Sequence, residues 1–193
     1  MRRLWLQMQM SVDGFMAAHN PAGRWTLWDW GPDCPWDGEL VRRFNDTLAN
    51  VDTVLLSRPM AAGYIDHWTR IAGQRAGDPA FTFAERIVEA HKRVLSRRAG
   101  TIDRVSTSVG HGAMRDEITA LKQAPGENII CFGGVDFASA VLDTGLVDVL
   151  ELYVNPRAVA RGESIFRRPR SLELLEAQPY ACGIVVQRYQ PLA

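Results

Sequence analysis

The sequence is poor in cysteine, in net charge and in long apolar runs. Its three cysteines, Cys34, Cys131 and Cys182, form no Cys-x-x-Cys pair, so neither a disulfide framework nor a metal site is predicted. The 22 basic and 22 acidic side chains give a formal net charge of +0, which argues against non-specific nucleic-acid binding. No apolar stretch approaches the roughly 18 residues of a membrane span. We therefore expect a cytoplasmic protein that binds neither nucleic acid nor membrane.

The composition is that of an ordinary globular domain. The chain has 193 residues, of which 47% are hydrophobic and 23% are charged. No repeat or long linker divides it, although Asn20–Pro35 and Trp68–Ala80 contain scattered proline and glycine and are predicted to be loops. We expect a single domain over residues 1–193.

Strand-like and helix-like patterns alternate along most of the chain. Thr82 to Glu85 has the spacing of a capping box at a helix start. The order predicts an α/β fold with a mixed, mainly parallel sheet and a C-terminal antiparallel hairpin. The predicted strands are Leu4–Met10, Thr53–Leu56, Arg93–Leu95, Asn128–Phe132, Asp148–Val154, Leu172–Glu176 and Gly183–Tyr189, and the predicted helices are Asp37–Asn50, Thr82–His91, Met114–Gln123 and Val135–Asp143.

A pair of glycines, Gly133 and Gly134, joins a buried strand to a helix. Such a junction exposes backbone amides at the positive end of a helix dipole, which suits a pyrophosphate group. The alternative is that the glycines only make a tight turn. The pair does not form the Gly-x-Gly-x-x-Gly fingerprint, so a Rossmann assignment fails.

Two other predicted strands end in a Ser-Arg step, Ser57-Arg58 and Ser96-Arg97. Parallel strands bring their carboxyl ends to one edge of a sheet, where ligands bind in open α/β folds. Guanidinium and hydroxyl groups there suit a phosphate monoester such as the 2′-phosphate of NADPH. The alternative is that each arginine is a solvated surface residue.

Four of the six tryptophans lie between residues 25 and 36. Of these, Trp25 and Trp30 are candidate stacking partners for a planar heterocyclic substrate. A hydrophobic lid, a dimer contact or a protein-interaction surface is the alternative. None of the four histidines lies in a Ser-His-Asp or metal pattern, and Cys131 stands inside an apolar strand, so hydrolase or thiol chemistry is poorly supported.

Four segments in order resemble the dihydrofolate reductase-like family that includes the RibD C-terminal domain, the reductase half of the riboflavin-biosynthesis deaminase-reductase. They are Met10–Ala17, Asp52–Arg58, Phe132–Gly134 and Gly145–Leu152. The resemblance covers nearly the whole chain. It implies a three-layer α/β/α sandwich that binds NADPH, passes hydride to a small heterocyclic or carbonyl acceptor and forms a homodimer.

The resemblance also implies roles for particular residues. Glu39 falls roughly where dihydrofolate reductases carry an acid in the first helix, which makes it a candidate proton relay if it lines the pocket. Asp13 is a second candidate catalytic acid. Cofactor contacts are implied for Val12, Asp13 and Gly14 at the nicotinamide, for Gly133, Gly134, Val135 and Asp136 at the pyrophosphate and ribose, and for Ser57, Arg58, Ser96 and Arg97 at the adenosine phosphate.

Three positions depart from the family pattern. Phe132 stands where enzymes that reduce the riboflavin intermediate usually have Glu, which argues against that substrate. Ser57 replaces a usual Gly, and Ala160-Arg161-Gly162 replaces a Gly-rich turn. The departures at Ser57 and Phe132 motivate an alternative function, a non-catalytic nucleotide- or ligand-binding homodimer that retains the fold.

Overall fold

The computed structural model describes residues 1–18 and 36–192. The alternating residues near its start form strand β1 (Leu4–Ser11), and the other strands are β2 (Ala17–Ala18), β3 (Val51–Ser57), β4 (His91–Leu95), β5 (Thr107–Gly110), β6 (Asn128–Cys131), β7 (Val149–Asn155), β8 (Gly162–Glu163), β9 (Leu172–Pro179) and β10 (Val185–Pro191). The α-helices are α1 (Gly38–Leu48), α2 (Arg58–Gln74), α3 (Thr82–Glu89), α4 (Met114–Gln123) and α5 (Val135–Asp143), and a 3-10 helix spans Pro79–Phe81. No helix in the described ranges is long and apolar enough to cross a bilayer.

Eight strands form one sheet in the order β5-β4-β3-β6-β1-β7-β10-β9, and β2 pairs with β8 in a separate ribbon. Pairing is parallel from β5 to β7 and antiparallel from β7 through β10 to β9. The predicted mixed, mainly parallel sheet with a C-terminal hairpin is therefore confirmed.

Helices cover both faces of this sheet. The apolar stripe of α1, Leu40, Phe44 and Leu48, is buried in a cluster shared with α2 and α3. Residues of α4 and α5 pack with the other face, where Leu4 and Leu6 of β1 are fully buried. Alternation along β1 thus sends Trp5 towards α1 and its two leucine neighbours towards α5.

The prediction that Trp68–Ala80 is a loop is wrong for its first half, because α2 continues through Trp68 to Gln74. Trp68 is only 3% exposed, so its burial stabilises a helix that local sequence does not favour. The sequence offered one signal for this helix. Pro59 occupies its first turn, where the missing N–H breaks no helical hydrogen bond.

The predicted capping box at the start of α3 does not form. Helix α3 does begin at Thr82, but that residue lies inside the helix and its hydroxyl donates to the 3-10 helix before it. Asn45, from α1, accepts instead from the amide of Phe83 at 2.7 Å. Glu85 accepts from the amide of Gly77 at 3.4 Å. A side chain distant in sequence therefore caps this helix.

Candidate functional site

The carboxyl ends of β4, β3, β6 and β1 meet at one edge of the sheet. Ser57, the last residue of β3, is in register with Leu95, the last residue of β4. Arg58 therefore follows β3 directly beside Ser96, as the sequence predicts for the two Ser-Arg steps. The Arg58 Nη1 donates to the carbonyl of Gly100, 3.3 Å away in the loop after β4.

The second Ser-Arg step is arranged differently from the first. The Ser96 hydroxyl accepts from the amide of Arg98 at 3.1 Å and donates to its carbonyl at 2.9 Å, so it closes a turn. Arg97 is exposed at this turn. Arg58, Arg97 and the exposed Arg98 thus all contribute positive charge near this edge, while the contact of Ser96 with a phosphate stays a prediction.

The glycine pair shapes the junction between β6 and α5. Gly133 and Gly134 have φ angles of +91° and +58°, which L side chains rarely adopt. A Cβ on Gly133 would lie 2.7 Å from the sulfur of Met8, so the tight turn alone requires glycine. No side chain caps α5, and no described residue accepts from its first three amides, so these donors are available to a ligand.

Helix α2 presents a second uncapped N-terminus at the same edge. Its N-cap residue, Ser57, makes no side-chain cap hydrogen bond, and Pro59 carries no amide hydrogen. A Cβ on Gly134 would lie 3.2 Å from the sulfur of Met60 in the first turn of α2, so the two helix starts are in contact. Two positive dipole ends beside Arg58 form an electropositive cradle suited to a diphosphate.

The turn after β1 borders this cradle. Val12 is 59% exposed, so its side chain is accessible to a ligand. Gly14 has a φ of +89° and no neighbour within 4 Å of a Cβ position, so it serves the turn's backbone. Their predicted place beside a nicotinamide ring remains a prediction.

Asp13 anchors that turn to the loop after β7. The Ser11 hydroxyl donates to its carboxylate at 2.5 Å, and the amides of Ala160 and Val159 donate at 2.7 and 3.0 Å. The hydrogen bond from Ser11, followed by those of the two amides, lowers the pKa of Asp13 below its usual range. At neutral pH Asp13 is therefore an acceptor with no proton to give, and it acts as a positioning residue.

Glu39, the other predicted acid, is exposed in the first turn of α1. It lines a groove of about 590 Å³ between α1 and β10, opposite Tyr180 and Arg188. Glu39 therefore borders an open groove and is not enclosed by the described residues. Two residues earlier, Asp37 is the N-cap of α1. Its carboxylate accepts hydrogen bonds from the amides of Glu39 and Leu40 at 3.1 and 2.9 Å.

Asp136 lies in the first turn of α5, as predicted, with its side chain 91% exposed. Its carboxylate pairs with Arg167 at 2.5 Å. Val135 beside it is half-buried. Whether Asp136 also binds a ribose stays a prediction.

Aromatic side chains surround the α1 side of the same edge. Trp36 stacks on Tyr153 with ring centroids 5.1 Å apart, and Phe132 stacks on Tyr64 at 6.0 Å. The predicted stacking residues Trp25 and Trp30 lie outside the described residues. Among the described residues the aromatic character of the site therefore rests on Trp36, from the tryptophan cluster of the sequence, on Phe132, and on the core rings of Tyr64 and Tyr153.

Cys131 is fully buried just before Phe132, and burial raises the pKa of its thiol to about 12. The interpretation of Cys131 as a small buried hydrophobe is confirmed. Within residues 1–18 and 36–192 no group of histidine, cysteine and acidic side chains is arranged to hold a metal ion.

Comparison with known proteins identifies the family of this chain. A family model for the RibD C-terminal domain matches residues 2–186. The chain belongs to the RibD C-terminal domain family. This is a family of NADPH-dependent reductases with the dihydrofolate reductase-like fold, so the resemblance seen in the sequence is confirmed.

Relatives of this RibD C-terminal domain protein are distant in sequence. The Bacillus subtilis protein YyaP, itself uncharacterised, is 24% identical over 188 residues, covering 95% of this chain and 92% of that protein. The Thermotoga maritima diaminohydroxyphosphoribosylaminopyrimidine deaminase/5-amino-6-(5-phosphoribosylamino)uracil reductase superposes with a TM-score of 0.65 and 14% identity, covering 99% of this chain and 57% of that one. Enterococcus faecalis dihydrofolate reductase, solved with NADP(H), gives a TM-score of 0.59 and 14% identity, covering 99% and 97% of the two chains. At these identities the structures establish the fold.

Proposed function

We propose that this protein is an NADPH-dependent reductase that passes hydride to a small heterocyclic or carbonyl acceptor. The observation that carries the proposal is the contact between the uncapped N-termini of α2 and α5 beside Arg58. Each helix start offers unbonded amides and a partial positive charge, which together suit the two phosphates of a dinucleotide. The residues present therefore fit the cofactor that the family typically binds.

The proposal assigns the pyrophosphate to the first amides of α5, which follow Gly133 and Gly134. It assigns the 2′-phosphate to Arg58 and Arg97, since guanidinium groups bind phosphate monoesters by charge-assisted hydrogen bonds. The turn at Val12 then edges the nicotinamide, held in place by the hydrogen bonds of the neighbouring Asp13 carboxylate.

When bound, the cofactor supplies the hydride, and the protein contributes orientation and electrostatics. Asp13 is held as a carboxylate and Glu39 is exposed, so neither acid is placed as a buried proton donor. We infer that the proton completing the reduction comes from water.

Phe132 narrows the class of acceptor. Its ring packs between those of Tyr64 and Phe44, both about 6.0 Å away between centroids. A carboxylate here would hold a polar ribityl-type substrate, whereas the phenyl ring favours a flat, less polar heterocycle.

Titration of the purified protein with NADPH and NADH tests the cofactor assignment. We expect NADPH to bind at least about tenfold tighter, a difference of roughly 1.4 kcal/mol. Arg58→Ala removes a charge-assisted contact to the 2′-phosphate, so NADPH should weaken roughly ten- to hundredfold while NADH changes little. Arg70→Ala, an exposed arginine near the other end of α2, is the matched control. Equal weakening of both nucleotides in Arg58→Ala would contradict the assignment.

A non-catalytic nucleotide-binding protein is the second candidate. The observation that favours it is the absence of a buried proton donor at either Asp13 or Glu39. NADPH binding without oxidation across pterins, flavins, quinones and carbonyl compounds would support this candidate against the reductase. The proposal includes a homodimer, which light scattering on the purified protein tests directly.

A further inference from the structure

Gln9 lies where the cofactor edge meets the aromatic side of the sheet. It is half-buried near the end of β1 and shares the α1-facing side of that strand with Trp5. On one flank Gln9 is in register with Tyr153 of β7. On the other flank, β1 pairs in parallel with β6, and Leu6 is in register with Cys131. Continuing this register by three residues in each segment brings Gln9 level with Gly134. Gln9 therefore stands between the glycine junction and the aromatic rings.

Asn155 fixes the orientation of the Gln9 amide. Asn155 is 3% exposed, and its Nδ2 lies 2.9 Å from the carbonyl of Tyr153 and 3.4 Å from that of Met10. Backbone carbonyls only accept hydrogen bonds, so this end of Asn155 must be its NH₂ group. The same Nδ2 lies 3.0 Å from Gln9 Oε1, which must then be the accepting oxygen.

The NH₂ group of Gln9 is consequently directed away from Asn155. It has no hydrogen-bond partner in the described part of the chain. Beside it on the same face, Tyr153 is covered by the stacked ring of Trp36. An oriented donor next to aromatic surface at the proposed hydride-transfer edge is suited to the carbonyl oxygen of a flat heterocycle.

We propose that the Gln9 amide donates a hydrogen bond to a carbonyl oxygen of the heterocyclic acceptor and so selects an oxo over an amino substituent. This inference rests on the proposed reductase function for the identity of the site. Asn155 acts through Gln9 as a positioning residue, because it decides which end of the amide faces the acceptor.

Two pteridines that carry opposite groups, oxo or amino, at the same two ring positions test the proposal. Lumazine carries two oxo groups where 2,4-diaminopteridine carries two amino groups, and both are neutral near pH 7. We expect the wild-type protein to bind lumazine at least about tenfold tighter by fluorescence titration. Gln9→Glu keeps an oxygen for Asn155 but replaces the donor with an acceptor, so the preference should reverse in favour of the diamino compound.

Controls separate this effect from damage to the fold. Gln190→Glu makes the same change at an exposed position of β10 and should keep the wild-type preference. Gln9→Leu removes both amide atoms and should bring the two affinities within about threefold of each other. Reversal in Gln9→Glu supports the proposal, because general destabilisation weakens both ligands together.

An unchanged preference in Gln9→Glu, or a wild-type protein that binds neither pteridine, overturns the proposal. NADPH affinity is measured on the same samples and should change little in Gln9→Leu, which adds no charge beside the glycine junction. Failure of the wild-type protein to bind NADPH would overturn the reductase function instead, while the pteridine preference would still decide the role of Gln9.

Discussion

Replacing Gly133 by alanine is the sharpest test of the junction between β6 and α5. Gly133 has a φ of +91°, and a Cβ there would lie 2.7 Å from the sulfur and 2.9 Å from the methyl carbon of Met8. Left-handed backbone costs an L residue about 1–2 kcal/mol, and overpacking a core costs about 1–3 kcal/mol. We therefore expect Gly133→Ala to lower the free energy of unfolding by about 2–5 kcal/mol, measured by urea denaturation.

Gly14 offers a matched control for the backbone part of this cost. Its φ is +89°, yet nothing lies within 4 Å of its Cβ position, so Gly14→Ala should lose only about 1–2 kcal/mol. The steric part should appear as coupling between Gly133→Ala and Met8→Ala in a double-mutant cycle, because the smaller side chain removes the clash. Equal losses for the two glycine variants, together with no coupling to Met8, would refute the reasoning.

Two further predictions concern hydrogen bonds of acidic side chains. Asp37→Ala removes the N-cap of α1, where one carboxylate oxygen accepts from the amide of Leu40, and the bond of the other oxygen to the amide of Cys182, so the free energy of unfolding should fall by about 1–2 kcal/mol in urea titrations. Asp37→Asn has a single accepting oxygen and should recover the cap but not the bond to Cys182. The hydrogen bond from Arg93 lowers the pKa of Glu117 in the folded protein below its ordinary value of 4.5. The ionised Glu117 therefore stabilises the fold at pH values above 4.5, and this contribution is lost as the pH falls through the lowered pKa. Glu117→Gln should accordingly show a shallower loss of stability in acid, and parallel curves for the two proteins would count against the role of Arg93.

Local sequence predicts the junction well because its signals lie next to each other in the chain. The bounds expected for α4 and α5, Met114–Gln123 and Val135–Asp143, are those observed, since glycine or proline stands beside each helix. The position of Arg58 beside Ser96 also follows from the sequence, because parallel strands end at one edge.

Contacts between distant segments explain what the sequence does not predict. Helix α2 depends on the burial of Trp68 and Ile71 against other elements, a tertiary effect that outweighs the glycine and proline nearby. The roles of Asp13 and Gln9 depend on partners more than 140 residues away, Ala160 and Asn155. No periodicity or local motif encodes such pairs, so the candidate site is only partly predictable.

The central place of β1 has a consequence for the order of folding. Although it is the first strand of the chain, β1 pairs with β6 at Ile129 and with β7 at Val149, and its following turn is held by Ala160. The long segments of chain between β1 and these partners must close into loops before the middle of the sheet can form. Contacts between residues so far apart in sequence are slow to form. During synthesis the proposed cofactor edge is thus completed only after about four-fifths of the chain has been made. Nucleotide binding would then report a late stage of folding, because chains arrested earlier would hold β1 and both helix starts but would lack β7 and the loop that anchors the turn after β1.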